Sequence, residues 1–313
     1  MPTADVTVVI VSHNDLQHLE ECLSSLSVAA SSGRAEVVVV DNASTDGSRE
    51  MVGGRFPFAK LVAMEENSGF SRANNAGIRA GRAGTVLILN PDTTLDGGVL
   101  ETLLKTMEDD PRLGAVGPVL FNARNRCQVS FGRGRGFFSE LAQKWVLNPW
   151  HKARIRTLRR PVEVKWLSGA CLLVRRSVLD AVGLFDERYF LYFEDIDLCY
   201  RIGRAGWKLA LQPGARVFHA GGASTRSRPL FSRFHYRRSQ VLFYRSHNSK
   251  LSQSLLRLYL SIGFSLSLLA SLVRRAGDIS ERKRFFRLLR REGIAVPDWR
   301  PDGPNPNSSG RGR

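Results

Sequence analysis

An α/β architecture, an open sheet with helices on both faces, is what this sequence predicts, and three observations carry the prediction. The runs VTVVIV (6–11) and EVVVV (36–40) are β-branched and apolar without alternation, as in strands buried on both faces. Between them Leu16, Leu19, Leu23 and Leu26 recur at helical spacing. The apolar runs end in polar clusters, SHN (12–14), DNASTDGS (41–48) and later NPDTT (90–94), where such sheets bind ligands.

Taken in order, the first strand is followed by a helix that Asn14 and Asp15 are placed to cap. Strand, helix and strand within about forty residues make a βαβ unit. Next come a strand near Lys60–Met64, a helix from Ser71 to Ala80 and a strand at Thr85–Leu89, then a helix over Gly98–Glu108 and a strand at Gly114–Phe121. This is a Rossmann-like sheet. It has no GxGxxG after its first strand and no GxxxxGK[ST], which excludes a dinucleotide-dependent dehydrogenase and a P-loop NTPase. Residues 122–162 lose the pattern and predict a long functional or mobile loop. Regular structure resumes over 164–224.

The chain has 313 residues, 43% hydrophobic and 24% charged, enough for a sizeable core and unlike a collagen, a disulfide scaffold or a disordered chain. Cys22, Cys127, Cys171 and Cys199 show no CxxC or CxxH spacing, which argues against structural zinc and suits a reducing compartment. The N-terminal apolar run lacks a preceding basic stretch and a cleavage site, so it predicts a strand and not a signal peptide. Of the net charge of +17, residues 1–100 contribute −5, residues 101–225 +8 and residues 226–313 +14. The basic character therefore sits in the C-terminal third, pointing to contact with an anionic surface. Arginine makes up 38 of the 46 basic residues, a bias to which genome composition also contributes.

The ordered set VVIVSHN, VVVVDNASTDGS, ENSGFSRANNAGI, LNPDTTL, WLSGACLLVRR, FEDIDLCYR and FHAGGAS resembles glycosyltransferase family 2, in its rhamnosyltransferase-like branch close to the galactofuranosyltransferase type. The resemblance spans roughly residues 6–225. It implies a GT-A fold, inverting transfer from a nucleotide-sugar donor, and a divalent metal, Mg²⁺ or Mn²⁺. It also implies a role for each matched residue. Ser12, Asn14, Asp41, Arg72 and Asn90 would contact the nucleotide. Asp46 either joins them or caps the next helix. Asp92 matches the last carboxylate of the family's DxD motif, whose first position is the neutral Asn90 here. His219 would complete the metal site with Asp92. In the ED motif Asp195, after Glu194, is the expected base, with Asp197 and Trp166 near the acceptor. Gly169 and Ala170 belong to the segment under the donor sugar, while Arg175 and Arg176 read as structural.

The chemistry supports these roles independently. Inverting sugar transfer needs a cation to neutralise the leaving diphosphate and a base to take the acceptor's proton. A carboxylate at a strand end suits the first task, and imidazole is an acceptable Mn²⁺ ligand.

In the C-terminal third, residues 258–273 are apolar but hold four serines, and as a helix they span about 24 Å, short of a bilayer core. The cluster ERKRFFRLLRRE (281–292) patterns as a basic amphipathic helix. Both predict contact with an anionic membrane surface; a helical pair packing on the protein itself is the plainer alternative. Nucleic acid is not expected, since no RRM, KH or zinc-finger signature occurs. The predicted organisation is a GT-A catalytic domain (1–225), a basic helical extension (226–296) and a disordered tail (297–313). The predicted function is rhamnosyl transfer from dTDP-rhamnose to a lipid-linked saccharide acceptor at the cytoplasmic face of the membrane, peripheral or monotopic. A UDP-sugar donor with another acceptor and a catalytically silent binding module remain alternatives, and oligomeric state is left open.

Overall fold

The computed structural model describes residues 4–132, 136, 158–221 and 229–273. They fall into two compact units, Met1–Arg228 and Pro229–Arg313. The first holds β1 (Val6–Ser12), α1 (Leu16–Ser31), β2 (Ala35–Asp41), α2 (Ser48–Arg55), β3 (Ala59–Ala63), α3 (Phe70–Ala80), β4 (Thr85–Leu89), β5 (Thr93–Leu95), α4 (Val99–Asp109) and β6 (Leu113–Phe121). It continues with β7 (Phe131–Gly132), β8 (Val162–Val164), β9 (Trp166–Leu167), β10 (Cys171–Arg175), α5 (Arg176–Val182), α6 (Glu194–Arg204) and β11 (Lys208–His219).

The main sheet runs β3-β2-β1-β4-β10-β6-β11-β5, with β8 also on β11, and β7 pairs with β9 separately. Strand alternation sorts the core into two layers. Val6, Val8 and Ile10 of β1 and Val37 and Val39 of β2 pack with the α1 leucines, Val52 of α2 and Leu100, Leu103 and Met107 of α4. Val9, Val11, Val38 and Val40 face the other way, with Ile78 of α3, Leu179 of α5 and Leu198 and Ile202 of α6. Each such side chain, fully buried, contributes about 1.5–3 kcal/mol.

The predicted elements form, with ends shifted by a residue or so, but three features differ from expectation. The sheet is mixed: β10 runs antiparallel to β4 and β6, and β5 antiparallel to β11. With helices on both faces, CLLVR is as apolar as a parallel strand, so its composition carries no sign of direction. β5 lies within the polar cluster after β4, too short and too polar for a periodicity to reveal it. Neither Asn14 nor Asp15 caps α1 through its side chain; the Leu16 N–H donates instead to Asp46 Oδ2 at 2.9 Å, from the loop after β2. All four cysteines are free and buried.

In the second unit α7 (Pro229–His247) and α8 (Lys250–Val273) pack on one another. The apolar run 258–273 is the C-terminal part of α8, and Leu251, Leu258, Tyr259 and Ile262 are exposed on that helix. No helix among the described residues is long and apolar enough to cross a membrane. The basic cluster 281–292 and the tail from 297 lie outside the described residues, as does most of the predicted loop, residues 133–135 and 137–157.

Candidate active site

Three adjacent parallel strands deliver polar residues to one edge of the sheet. Ser12 ends β1 in register with Asp41 at the end of β2, and Ile10 pairs with Leu89 of β4, so Asn90 emerges beside them. Ser12, Asp41 and Asn90 each bury a side-chain oxygen (Oγ, Oδ1 and Oδ1) that has no hydrogen-bond partner. An orphaned buried acceptor costs about 1–3 kcal/mol, so three at one edge mark a place built to be filled. The second oxygen of Asp41 is already taken: Oδ2 receives the Ser44 N–H at 3.2 Å and forms a close ion pair with Arg49. Arg49 also donates to the Met64 carbonyl at 2.7 Å, which fixes it over the strand ends.

Other predicted nucleotide residues are placed differently. Asn14, at a left-handed φ of 53°, accepts the Thr45 N–H at 2.8 Å and so ties the loop after β1 to the loop after β2. Its side chain is a brace between the loops. Asp46 acts as a brace too, taking the Ser48 hydroxyl at 2.6 Å as well as the Leu16 N–H. Burial opposes ionisation of Asp46, but these donors together hold its carboxyl below the ordinary range. Arg72 is exposed on the first turn of α3, open to an incoming anion. That turn starts at Gly69, whose φ of +82° and 2.6 Å clearance between a hypothetical Cβ and the Phe190 carbonyl admit only glycine.

Pairing of β5 with β11 sets Thr93 opposite His219 and so brings Asp92 to that imidazole. His219 Nε2 lies 3.2 Å from Asp92 Oδ1, both side chains largely buried. Gln128 settles the tautomer. Its amide nitrogen donates to the His219 carbonyl at 2.8 Å, which leaves its oxygen 2.7 Å from Nδ1, so Nδ1 must be the donor. Nε2 then faces a carboxylate oxygen, and only a proton or a metal cation between them satisfies both. Gly221 donates its N–H to Asp92 Oδ2 at 3.1 Å. Burial pushes the Asp92 carboxyl up, yet the His219 contact and the Gly221 N–H outweigh it and hold it below the ordinary range. One carboxylate and one imidazole, oriented by an outer amide, fit a divalent cation that takes its remaining ligands from phosphate and water. Among the described residues no group of three or more His, Cys, Asp or Glu side chains could hold a metal by itself.

The ED segment opens α6, after two residues in the left-handed region, Tyr192 (φ 69°) and Phe193 (φ 67°). Such backbone costs on the order of 1–2 kcal/mol per residue and is typical of functional turns. Asp195 accepts the Gly169 N–H at 2.9 Å and the Ile196 N–H at 2.7 Å. It stays partly accessible, while burial raises its pKa above the ordinary value despite those two donors. Glu194 is buried with Oε2 unpartnered, and burial followed by the neighbouring Asp195 charge raises its pKa well above the usual range. Both carboxyls of the ED segment are thus easier to protonate than ordinary ones. Gly169 leaves room for the segment, since a Cβ there would come within 3.3 Å of Asp195 Cβ. Its neighbour Ala170 accepts the Asn90 N–H at 2.9 Å, so three hydrogen-bonded segments join the Asp195 edge to the Asp92 edge.

Asp197 corrects the expectation of an acceptor-site residue. It is 2% exposed, with Oδ2 2.8 Å from Arg201 Nε and Oδ1 receiving the Tyr189 hydroxyl at 3.4 Å. Arg201 continues to the carbonyls of Val182, Gly183 and Leu184, so Asp197 anchors α6 to the end of α5. Trp166 is partly buried against the core layer under α5 and α6. Arg175 and Arg176 bond to backbone carbonyls, Leu113 at 2.8 Å and Ala83 at 2.6 Å, in the structural role expected of them. Gln128 and Gly221 were invisible in the sequence because each meets its partner only through the sheet register, and Arg49 because an arginine in the first turn of a helix carries no sign of the strand end it folds back to.

A mixed sheet with a polar edge at its strand ends, a carboxylate–imidazole pair and an ED helix start fits the GT-A architecture of glycosyltransferases. GalNAc-T7, solved with UDP, GalNAc and Mn²⁺, shares the fold at a TM-score of 0.58 and 18% identity, over 91% of this chain and 54% of that one. Residues 2–240 match the family described as glycosyltransferase like family 2, and the chain belongs to that family. It is 36% identical over 303 residues to the N-acetylglucosaminyl-diphospho-decaprenol L-rhamnosyltransferase of Mycobacterium tuberculosis (strain CDC 1551 / Oshkosh), covering 90% of this chain and 97% of that protein. It is also 27% identical over 233 residues to the rhamnosyltransferase WbbL of Escherichia coli (strain K12), covering 71% and 86%.

Proposed function

We propose that this glycosyltransferase passes a rhamnosyl residue from dTDP-rhamnose to a polyprenyl-diphosphate-linked saccharide, with inversion at the anomeric carbon. The observation that carries the reading is the 36% identity to a lipid-linked rhamnosyltransferase along 97% of its length. Asp41 Oδ1 suits the imide N–H of thymine or uracil, and Asn90 in place of a ribose-binding carboxylate suits a deoxyribose. Asp195 takes the proton of the acceptor hydroxyl as its oxygen bonds to the anomeric carbon and the bond to the nucleoside diphosphate breaks. Its raised pKa makes it a better proton acceptor than an ordinary aspartate. Asp92 and His219 would hold the divalent cation, which when bound supplies positive charge to the leaving diphosphate.

The test is nucleotide release from a panel of sugar nucleotides with a lipid-linked acceptor, wild type beside Asp195→Asn. Turnover of dTDP-rhamnose alone, lost in the variant and on chelation, supports the reading; turnover of a UDP-sugar instead would overturn the donor assignment.

The second unit supports a membrane-facing placement. Residues 229–273 carry six Lys or Arg and no Asp or Glu, and α8 exposes Leu251, Leu258, Tyr259 and Ile262. Cations for lipid phosphates and apolar side chains for acyl chains suit the cytoplasmic face of an anionic membrane. Flotation with anionic vesicles at low salt checks this, and protein that stays at the bottom of the gradient refutes it.

A further inference from the structure

The first turn of α1 carries a pair that none of these roles uses. His18 follows Asp15 by three residues, and the helical turn brings its Nδ1 to 2.6 Å from Asp15 Oδ1. Asp15 is 9% exposed and His18 31%. A carboxylate can only accept, so Nδ1 donates and the ring is fixed with Nε2 turned away from Asp15. No hydrogen bond to Nε2 is present among the described residues.

This pair lies at the catalytic edge. One helical turn further along α1, Cys22 Sγ donates to the Asn90 carbonyl at 3.7 Å, and Ser25 Oγ accepts the Leu95 N–H of β5 at 3.3 Å. The face bearing His18, Cys22 and Ser25 therefore covers the segment from Asn90 to Leu95, with His18 at its ligand end. The charges of Asp92 and His18 act on one another, and those of Asp92 and Asp15 likewise. His18 nevertheless stands apart from any cation held by Asp92 and His219, since no third ligand joins that pair among the described residues. With Nδ1 committed to Asp15, Nε2 is the ring's remaining hydrogen-bonding atom, and an anionic oxygen that meets it is paired by a ring donating from both nitrogens.

We propose that His18, oriented by Asp15, donates from Nε2 to a phosphate oxygen of the donor's diphosphate, gripping the leaving group independently of the metal. The inference rests on the sugar-nucleotide reading above. His18 is then a catalytic residue and Asp15 a positioning residue.

The experiment is calorimetric titration of wild type, His18→Ala, His18→Gln and Asp15→Asn with dTDP, UDP and thymidine, in EDTA and again with Mn²⁺. Loss of one charge-assisted hydrogen bond is expected to weaken the preferred nucleoside diphosphate about tenfold in EDTA for both His18 variants. Asp15→Asn weakens it less, and thymidine affinity stays unchanged in all of them. His18→Gln fills the same volume and can still donate to Asp15, so it carries the test if His18→Ala fails to fold. Equal losses for thymidine, no loss for the diphosphate, or a loss seen only with Mn²⁺ would each overturn the assignment. Wild type binding neither dTDP nor UDP would bring down the sugar-nucleotide reading itself, and this inference with it.

Discussion

Asp92 and the Glu194–Asp195 pair are carboxylates at the same edge of one sheet, and their surroundings drive them in opposite directions. Asp92 is buried but receives an imidazole and a glycine N–H, which keep it ionised below the ordinary range. Glu194 is buried with Oε2 unpartnered and Asp195 beside it is partly buried, so both are pushed up. Burial is the first cause in every case; the donors that answer it decide the sign. One carboxyl is therefore kept ionised, as a cation ligand must be, and the other two are shifted toward proton uptake, as a base for an acceptor hydroxyl must be.

The largest test of that contrast is Asp195→Asn. Removing a general base costs on the order of 10²–10⁴-fold in rate, so kcat should fall about 10³-fold with nucleotide affinity intact, read by release assay and titration. Wild-type kcat/KM should also rise with pH as Asp195 loses its proton, with a midpoint above the ordinary aspartate value of 3.8. Asp197→Ala sharpens the distinction between base and anchor. It leaves Arg201 with carbonyl acceptors but no countercharge, and breaking such a largely buried pair costs about 3 kcal/mol, seen as a lower chemical-denaturation midpoint.

On the cationic side, His219→Ala should reduce activity about 10²-fold at fixed Mn²⁺ and abolish the thermal stabilisation that Mn²⁺ gives wild type. An unchanged Mn²⁺ response would remove His219 from the metal site. The smallest effect is expected from Glu194→Gln, which copies the protonated carboxyl. Below pH 4.5, its ordinary value, Glu194 is mostly protonated whether folded or unfolded. At higher pH the unfolded state ionises first, so wild type loses stability at up to about 1.4 kcal/mol per pH unit until the folded pKa is reached. The variant escapes that loss, and its melting temperature should exceed wild type's at pH 8 but not at pH 4.

Much of the frame was legible because local patterns encode it. The β-branched runs gave β1 and β2 nearly to the residue, and the leucine spacing gave α1. Polar residues after strand ends led to Ser12, Asp41, Asn90 and Asp92, all of which reach the edge. Asp197 misled because a carboxylate at a helix start looks the same whether it meets substrate or, as here, an arginine one turn on. Nothing local marked Arg49, Gln128 or the Asp15–His18 pair.

What the sequence determined by itself is the succession of elements and the chemistry at their ends, since period and turn composition act over a few residues. Tertiary structure alone decided which ends meet. The three-residue β5 pairs with β11 and sets His219 on Asp92, and antiparallel β10 beside β4 sets Gly169 and Ala170 between Asp195 and Asn90. Those contacts join residues 26 to 127 positions apart, and their register comes from packing two apolar layers against one sheet, which no local spacing records.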